Sequence, residues 1–484
     1  MGTLPFSSRL HRPAARFCGA AFWCVGLLGG CAHLPPSAPI DPTHSAAQFA
    51  ARRLQGTAEA LPSRGSAWDS DAWFRAALMF NPQLAEARSK ALAVTAGERT
   101  AAERPNPTLN LFGEYVNAAA GSAAWLYGLS MEFLLPRKGE RARAMASASL
   151  ETEAAKADVA EAIWQVRTDV HAALLDAAYA HDQVLLLTKL VADNQGLVSS
   201  NQALAAAGEI GATETLTQDL EFARARQRLA HAQALGADAE ARLAAAVGVS
   251  VAALDGAPIE WQGWADIAAL APQGASQWRA AALIARPTLV RALREYDLTD
   301  LALQSEVAKR WPQFHVAPGY AWDHSGLKQD TLDDTLHGTL HDNELGVTFE
   351  LPIFNRHEGP IGEALARRSY AGRHLEAVQA QLLEEIERAE RAWPQAQQAW
   401  RDAQASEALN ARQHAAQERA FQAGATDHPT LIAGSLAVTE AALATLAAAY
   451  DARLAFTALE SAYRRPLQGA EIPLSASLTG EVGS

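Results

Sequence analysis

Two hydrophobic rhythms alternate along this chain, one with a period of two and one with a period between three and four. At 108–116 the apolar positions Leu109, Leu111 and Tyr115 alternate with Thr108, Asn110, Phe112 and Glu114. At 127–135 Leu129, Met131, Phe133 and Leu135 alternate with Gly128, Ser130 and Glu132. That pattern predicts two strands, each with one apolar and one polar face. A second pair is predicted at 313–322 and 344–353, where Phe314, Val316, Tyr320 and Trp322 share a face, as do Val347, Phe349, Leu351 and Ile353. Glu350 lies on the opposite face, matching Glu132.

After each pair the rhythm turns helical. Val159, Ile163, Val166, Val170 and Leu174 recur by threes and fours in the proline-free stretch 139–207. Leu375, Val378, Leu382, Ile386, Ala389, Trp393, Ala396 and Trp400 do the same after the second pair, with Pro394 predicted to kink that helix. At 1.5 Å per residue the first such helix runs on the order of 100 Å, and seams sustained over so many turns predict coiled-coil packing. Each long helix stops at a glycine, Gly208 or Gly424, and the polar turns 208–211 and 424–427 lead into return helices at 215–247 and 430–462. A helical stretch at 72–103 breaks at Asn81-Pro82, since proline can open a helix but not continue one.

The two halves are copies. Asn81-Pro82 recurs as Arg286-Pro287 and 107–115 recurs as 312–320, both 205 residues on. The segment 128–133 recurs as 346–351, 218 residues on, so the second copy has gained thirteen residues between its strands. A repeat of that length means that both copies solve one packing problem in one way. It divides the chain into 68–247 and 275–467, joined by an irregular segment at 248–274 that carries Trp261 and Trp264. That segment and the tail 468–484 are expected at the waist of the helical body.

Residues 1–30 read as a secretory signal: Arg9, Arg12 and Arg16 precede an apolar stretch at 17–28 that is too short to span a bilayer. All three cysteines lie at or before Cys31, and Leu28-Gly29-Gly30-Cys31 resembles the lipobox of bacterial lipoproteins. Cys31 is then a lipid-carrying thiol or, on the plainer reading, a small residue beside a cleavage site. With Ala32 next to it, analogy with known lipoproteins directs the anchor to the outer membrane. Residues 31–67, rich in Pro, Ala and Ser, read as an extended tether.

Although 49% of the chain is hydrophobic, no uninterrupted apolar run is long enough to be a spanning helix, so any crossing of a bilayer must be made by strands. Four strands cannot close by themselves, because the smallest membrane barrels need about eight and an open edge leaves backbone groups unpaired in lipid. Three copies would supply twelve. The net charge is -13, and loss of the three arginines in 1–30 makes it -16, which disfavours nucleic acid and anionic membrane surfaces as partners. It is compatible with a cation pathway, and equally with solubility alone.

Motifs for catalysis are absent: there is no nucleophile elbow, phosphate loop, paired catalytic carboxylates or metalloprotease helix, so neither an enzyme nor a cofactor is expected. His171, His181 and His231 are scattered along helices without ligand spacing. The inserted loop within 323–342 carries His324, Asp330, Asp333, Asp334, His337, His341 and Asp342, which are competent zinc or nickel ligands or else a solvated surface.

Asn81-Pro82, the segments 104–108 (RPNPT) and 135–141 (LPRKGER), and above all 351–361 (LPIFNRHEGPI), occur in duplicated order. Over roughly 68–467 they resemble the TolC-like outer-membrane efflux channels, most closely the CzcC-like subgroup attached to heavy-metal exporters. The resemblance implies a mainly α fold with a small β part, in which long helical hairpins form a periplasmic α-barrel. Four strands per chain would contribute to a 12-stranded transmembrane β-barrel in a homotrimer. It also implies a passive conduit docked to a periplasmic adaptor and an inner-membrane RND pump. The cargo would be divalent heavy-metal cations, with drugs or other organic compounds as the alternative. On this reading Gly208, Glu209, Gly424 and Asp427 mark the periplasmic tips. Asp427 would line the resting aperture, with Glu209 and Glu214 as competitors and capping of the following helix as the alternative role. Glu114, Glu132 and Glu350 would face the barrel lumen. A lipid-anchored coiled-coil scaffold without a pore is the rival of another class, and the two-faced strands argue against it.

Overall fold

The computed structural model describes residues 39–54, 61–62, 67–117, 123–255, 257–260, 263–272, 275–323, 340–351 and 353–467. The signal segment, Cys31 and the tail 468–484 lie outside them. The chain divides into two compact units, Met1–Ala51 and Arg52–Ser484. In the first, α1 (Pro42–Ala51) replaces part of the expected tether. Asp41 explains it: its carboxylate accepts from Thr43 N (2.9 Å) and Thr43 Oγ1 (2.7 Å), with Pro42 opening the turn ahead of an alanine-rich run.

In the second unit the order is α2 (Ser70–Phe80), α3 (Pro82–Ala102), β1 (Thr108–Asn117), β2 (Ala123–Leu135), α4 (Glu140–Ala206) and α5 (Ala212–Val247). It then repeats as α6 (Ala275–Ala285), α7 (Pro287–Ala308), β3 (Phe314–Asp323), β4 (Leu340–Phe349), α8 (Glu358–Gln422) and α9 (His428–Tyr463). The long helices have 67 and 65 residues. Both begin after a residue with positive φ, Gly139 (74°) and His357 (58°). The four strands form one antiparallel sheet in the order β1-β2-β3-β4, so the central pairing, β2 with β3, joins the two copies.

Each copy has its own apolar cluster. In the first, Trp73, Phe74 and Leu84 pack against the α4 seam residues Val159, Ile163, Val166 and Val170 and against Leu243 and Val247 of α5. In the second, Ile386, Ala389, Trp393 and Trp400 of α8 pack against Phe456 and Leu459 of α9. Ile267 and Leu270 of the connecting segment join that second cluster, while Trp68 is stitched to the same segment by Trp68 N to Pro258 O (2.8 Å) and Glu260 N to Trp68 O (3.2 Å). Pro394 sits within α8 without ending it.

Two expectations need correction. The fourth strand, expected at 344–353, runs four residues earlier, at Leu340–Phe349, so Leu351 and Ile353 lie beyond it. Its partner dictates this: Phe349 pairs with Phe314, the first residue of β3, and behind Phe314 stands Pro312, which has no N–H to extend the ladder. The other concerns α9, whose 36 residues include a window of mean hydropathy 1.7, long and apolar enough to span by length and composition. Scattered Ser, Thr and Glu interrupt the apolar run without offsetting its alanines and leucines, and 22% of that window is buried within the chain.

All four hairpin helices end in the same doubly bonded turn. At the tips, Glu209 N reaches Leu204 O (2.9 Å) and Gly208 N reaches Ala205 O (3.0 Å), while Ala425 N reaches Ala420 O (2.8 Å) and Gly424 N reaches Phe421 O (2.9 Å). At the return ends the bonds recur around Gly248 (φ 87°) and Arg464 (φ 50°). The return end at Gly248 is tight, since a Cβ there would lie 2.4 Å from Phe80 O, whereas a Cβ on the tip glycine Gly424 would meet nothing within 4 Å. Gly248→Ala should therefore cost about 2–4 kcal/mol, from left-handed strain plus overpacking, and Gly424→Ala only about 1–2 kcal/mol. Thermal unfolding of the detergent-solubilised variants checks this, and equal losses at the two sites would refute the packing argument.

Candidate functional site

Register assigns every strand residue to a face. Leu109 pairs with Met131 and Leu111 with Leu129; Leu129 pairs with Tyr320, Phe133 with Val316 and Leu135 with Phe314; Phe314, Val316 and Pro318 pair with Phe349, Val347 and Leu345. This face is largely apolar and exposed in the single chain, with Leu111 at 75% and Leu345 at 68% of full exposure, and it is interrupted on β4 by Asn343 and His341, which pair with Tyr320 and Trp322. Its reverse carries Thr108, Asn110, Ser130, Glu132, His315, Gly319, Glu344 and Thr348, joined by Glu114 through its pairing with Leu126. Apolar residues also lie on this face, among them Phe112, Leu126 and Leu134; the Phe112 ring folds over Gly128, its cross-strand partner, where a Cβ would stand 2.6 Å from Phe112 Cζ.

Glu114 and Glu132 thus share the polar face, as their alternation implies. Glu350 does not belong to the ladder; it lies one residue past β4 and is exposed. The repeat explains its place: Gln313 and Glu350 hold the positions that Thr108 and Glu132 hold in the first copy, where the ladder still runs. Sequence reading missed His315, whose Nδ1 lies 2.6 Å from Glu132 Oε1. Its signal was present in the alternation, since it stands between two residues assigned to the apolar face.

At the far ends of the hairpins, Glu209 and Asp427 are both exposed. Asp427 is the N-cap of α9: its Oδ1 accepts from Thr430 N at 2.9 Å, and that bonding with Thr430 holds its carboxyl below the ordinary value. Gly208 and Gly424 supply the left-handed turn residues. Among the described residues no group of three His, Cys, Asp or Glu side chains is placed to hold a metal ion. The candidate loop falls at 324–339, outside the described residues, while Asp323, His341 and Asp342 belong to β3 and β4 rather than to a loop.

The histidine that departs from expectation is His171. It is largely buried on α4, with Nε2 3.0 Å from Arg167 Nη1; burial first, then the charges of Arg167 and Arg453, push it down to about 3. The unfolded chain binds a proton near the ordinary 6.5, which the folded chain refuses until about 3. Stability is therefore full above 6.5 and is lost as pH falls through that window, at about 1.4 kcal/mol per unit. His171→Gln should remove about 2 kcal/mol of the loss between pH 7 and pH 5, read from denaturant midpoints at the two values. An unchanged pH dependence would refute the assignment.

No family model matches this sequence, and no curated protein does. Solved structures do share its fold. The outer membrane protein VceC of Vibrio cholerae superimposes with a TM-score of 0.66 at 16% identity, over 82% of this chain and 97% of that one. The CmeC outer membrane channel of Campylobacter jejuni gives 0.63 at 14% identity, over 88% and 94%. The MtrE outer membrane channel of Neisseria gonorrhoeae, in its open state, gives 0.63 at 16% identity, over 82% and 89%. The duplicated hairpins and the single four-stranded sheet of this chain thus make up the TolC-like channel fold.

Proposed function

We propose that this chain is one subunit of a homotrimeric outer-membrane channel serving a tripartite efflux system, a conduit that performs no catalysis. The observation that carries this reading is the sheet: four strands, mainly apolar on one face and mainly polar on the other, with β1 and β4 as its unpaired edges among the described residues. Hydrocarbon tolerates such a sheet only when it is closed, and three copies close it with twelve strands, apolar face to lipid and polar face to water. The hairpins then extend as a helical tunnel toward a periplasmic adaptor and an inner-membrane RND pump, the partners that the motif resemblance implies.

Divalent heavy-metal cations are the cargo we favour. Support comes from the CzcC-like segment 351–361 and from the carboxylates at Glu114 and Glu132 along the polar wall and at Glu209 and Asp427 on the tips. Glu350 would stand at the helix end of that wall. Drugs or other organic compounds are the alternative cargo, and Cys31 would carry lipid that holds the chain to the outer membrane.

The purified full-length chain should crosslink as a trimer and give discrete ohmic steps in a planar bilayer. A trimer that stays silent would favour the non-pore scaffold and overturn the channel reading. Zinc, cobalt, cadmium and nickel sensitivity of a deletion strain, set against dye sensitivity, tests the cargo.

Asp427 allows a sharper test, since asparagine caps a helix about as well as aspartate but carries no charge. Three carboxylates around a narrow aperture concentrate cations. Asp427→Asn should therefore lower cation-over-anion selectivity while leaving thermal stability unchanged. Unaltered reversal potentials would confine Asp427 to capping.

A further inference from the structure

We propose that the helix end of the strand wall is a binding belt for anionic phospholipid headgroups. The inference rests on the reading that the wall spans a bilayer, and it deepens that reading by naming the lipid chemistry.

Sheet register puts all four strand–helix junctions along one edge. Leu135, Phe314 and Phe349 pair in a row, and β1 starts beside them with Thr108 opposite Glu132. The segments that leave this edge, 103–107, 136–143, 309–313 and 350–358, carry eight arginines and lysines against four glutamates, in a chain with 41 against 54. The sign of the chain's charge is reversed here.

Two of the basic residues hold the junctions together. Arg137 donates from Nε to Trp311 O (2.9 Å) and from Nη1 to Gln313 Oε1 (3.1 Å), and Arg141 donates from Nη2 to Ala102 O (2.6 Å). Arg104, Lys138, Arg310 and Arg356 are different: each is exposed, and among the described residues none forms an ion pair. One comes from each junction, so the row is repeated along the whole edge. Beside them stand Trp311, 75% exposed, and Phe354, wholly exposed, with Ile353 at 64%.

Aromatic rings at the end of an apolar strand face sit at headgroup depth, and free guanidinium and ammonium groups at that depth meet phosphates. The acidic remainder of the chain opposes an anionic surface everywhere else, so the belt fixes the depth of the wall as well as its lipid.

The test uses full-length protein in neutral detergent, offered phosphatidylglycerol and phosphatidylcholine in equal amounts and read by native mass spectrometry. Wild type should retain phosphatidylglycerol by roughly fivefold or more over phosphatidylcholine. Replacing Arg104, Lys138, Arg310 and Arg356 together by Gln should bring the ratio near one. A control with Arg367, Arg373, Arg388 and Arg391 of α8 replaced by Gln should keep the wild-type ratio. Single-channel conductance in a neutral bilayer separates the two readings. A conducting wild type that holds both lipids equally overturns the belt, as does a belt variant with unchanged preference or a control variant that loses it. Lipid preference without conductance overturns the channel and leaves the belt standing.

Discussion

A strand at the edge of a sheet carries a row of N–H and C=O groups with no partner, and in this chain two such rows run along β1 and β4. Water can satisfy them; hydrocarbon cannot, and each group left unpaired there costs several kcal/mol. The apolar face of the same sheet is not covered by the four helices joined to it, because α3, α4, α7 and α8 meet the sheet at its strand ends. On the proposed reading the two demands point to one solution, in which β4 of each copy pairs with β1 of the next and the apolar faces turn outward. Neither demand alone would do so, since a soluble protein meets the first with water and the second with a helix.

Duplication explains the remainder of the architecture, and its imperfections are informative. Asn81 caps α3 through Leu84 N (3.0 Å) and donates to Ala246 O (2.8 Å); its counterpart Arg286 makes no cap, yet reaches the equivalent carbonyl, Ala462 O (3.3 Å), and pairs with Glu385 (2.7 Å). Burial lowers the Arg286 guanidinium from its ordinary value, so that charge stays buried because Glu385 and a carbonyl hold it. At the return ends, Gly248 lies against the chain at Phe80 while Arg464 takes the same left-handed turn and sends its side chain to Glu161 on the other copy's long helix. One copy spends the position on close packing, the other on a link between halves.

What the sequence made legible were features set by local rules. Alternation gave the first and third strands to within one residue and the end of the second, whose start lies four residues earlier than expected; helical period gave both hairpins, and glycines gave the tips at 208 and 424. The fourth strand was misplaced because apolar alternation continues through Leu351 and Ile353, while the strand's end is decided by Pro312 on its partner, a non-local fact. Likewise α1 was hidden under a proline-rich composition, although Asp41-Pro42 is a helix start. His171 carried no signal beyond its lack of ligand spacing, because only packing brings Arg453 toward it. The charge of the whole chain was the least local quantity of all, and it concealed a basic edge of opposite sign.

The two halves are joined differently from the way each is built. Within a copy the clusters are apolar, whereas many contacts between copies are polar: Arg228 with Glu440, Lys189 with Thr439 (2.9 Å), Ser435 with Asp193 (2.7 Å) and Tyr450 with Asp176 (2.6 Å). Arg228 and Glu440 are about half exposed, so water replaces their contact at small cost, on the order of 0–1 kcal/mol for such a surface pair. Separating α8 from α9 would instead expose Trp393 and Phe456, whose rings meet edge to face at 5.1 Å, and losses of that kind run to roughly 3–5 kcal/mol for a single large aromatic. Each hairpin therefore behaves as a stiff rod, and the seam between the rods is where rearrangement is cheapest. Apolar contacts pin that seam at intervals: Leu443 with Leu187 and Leu190, Leu436 beside them, and the ring of Tyr179 against Tyr450 at 4.5 Å.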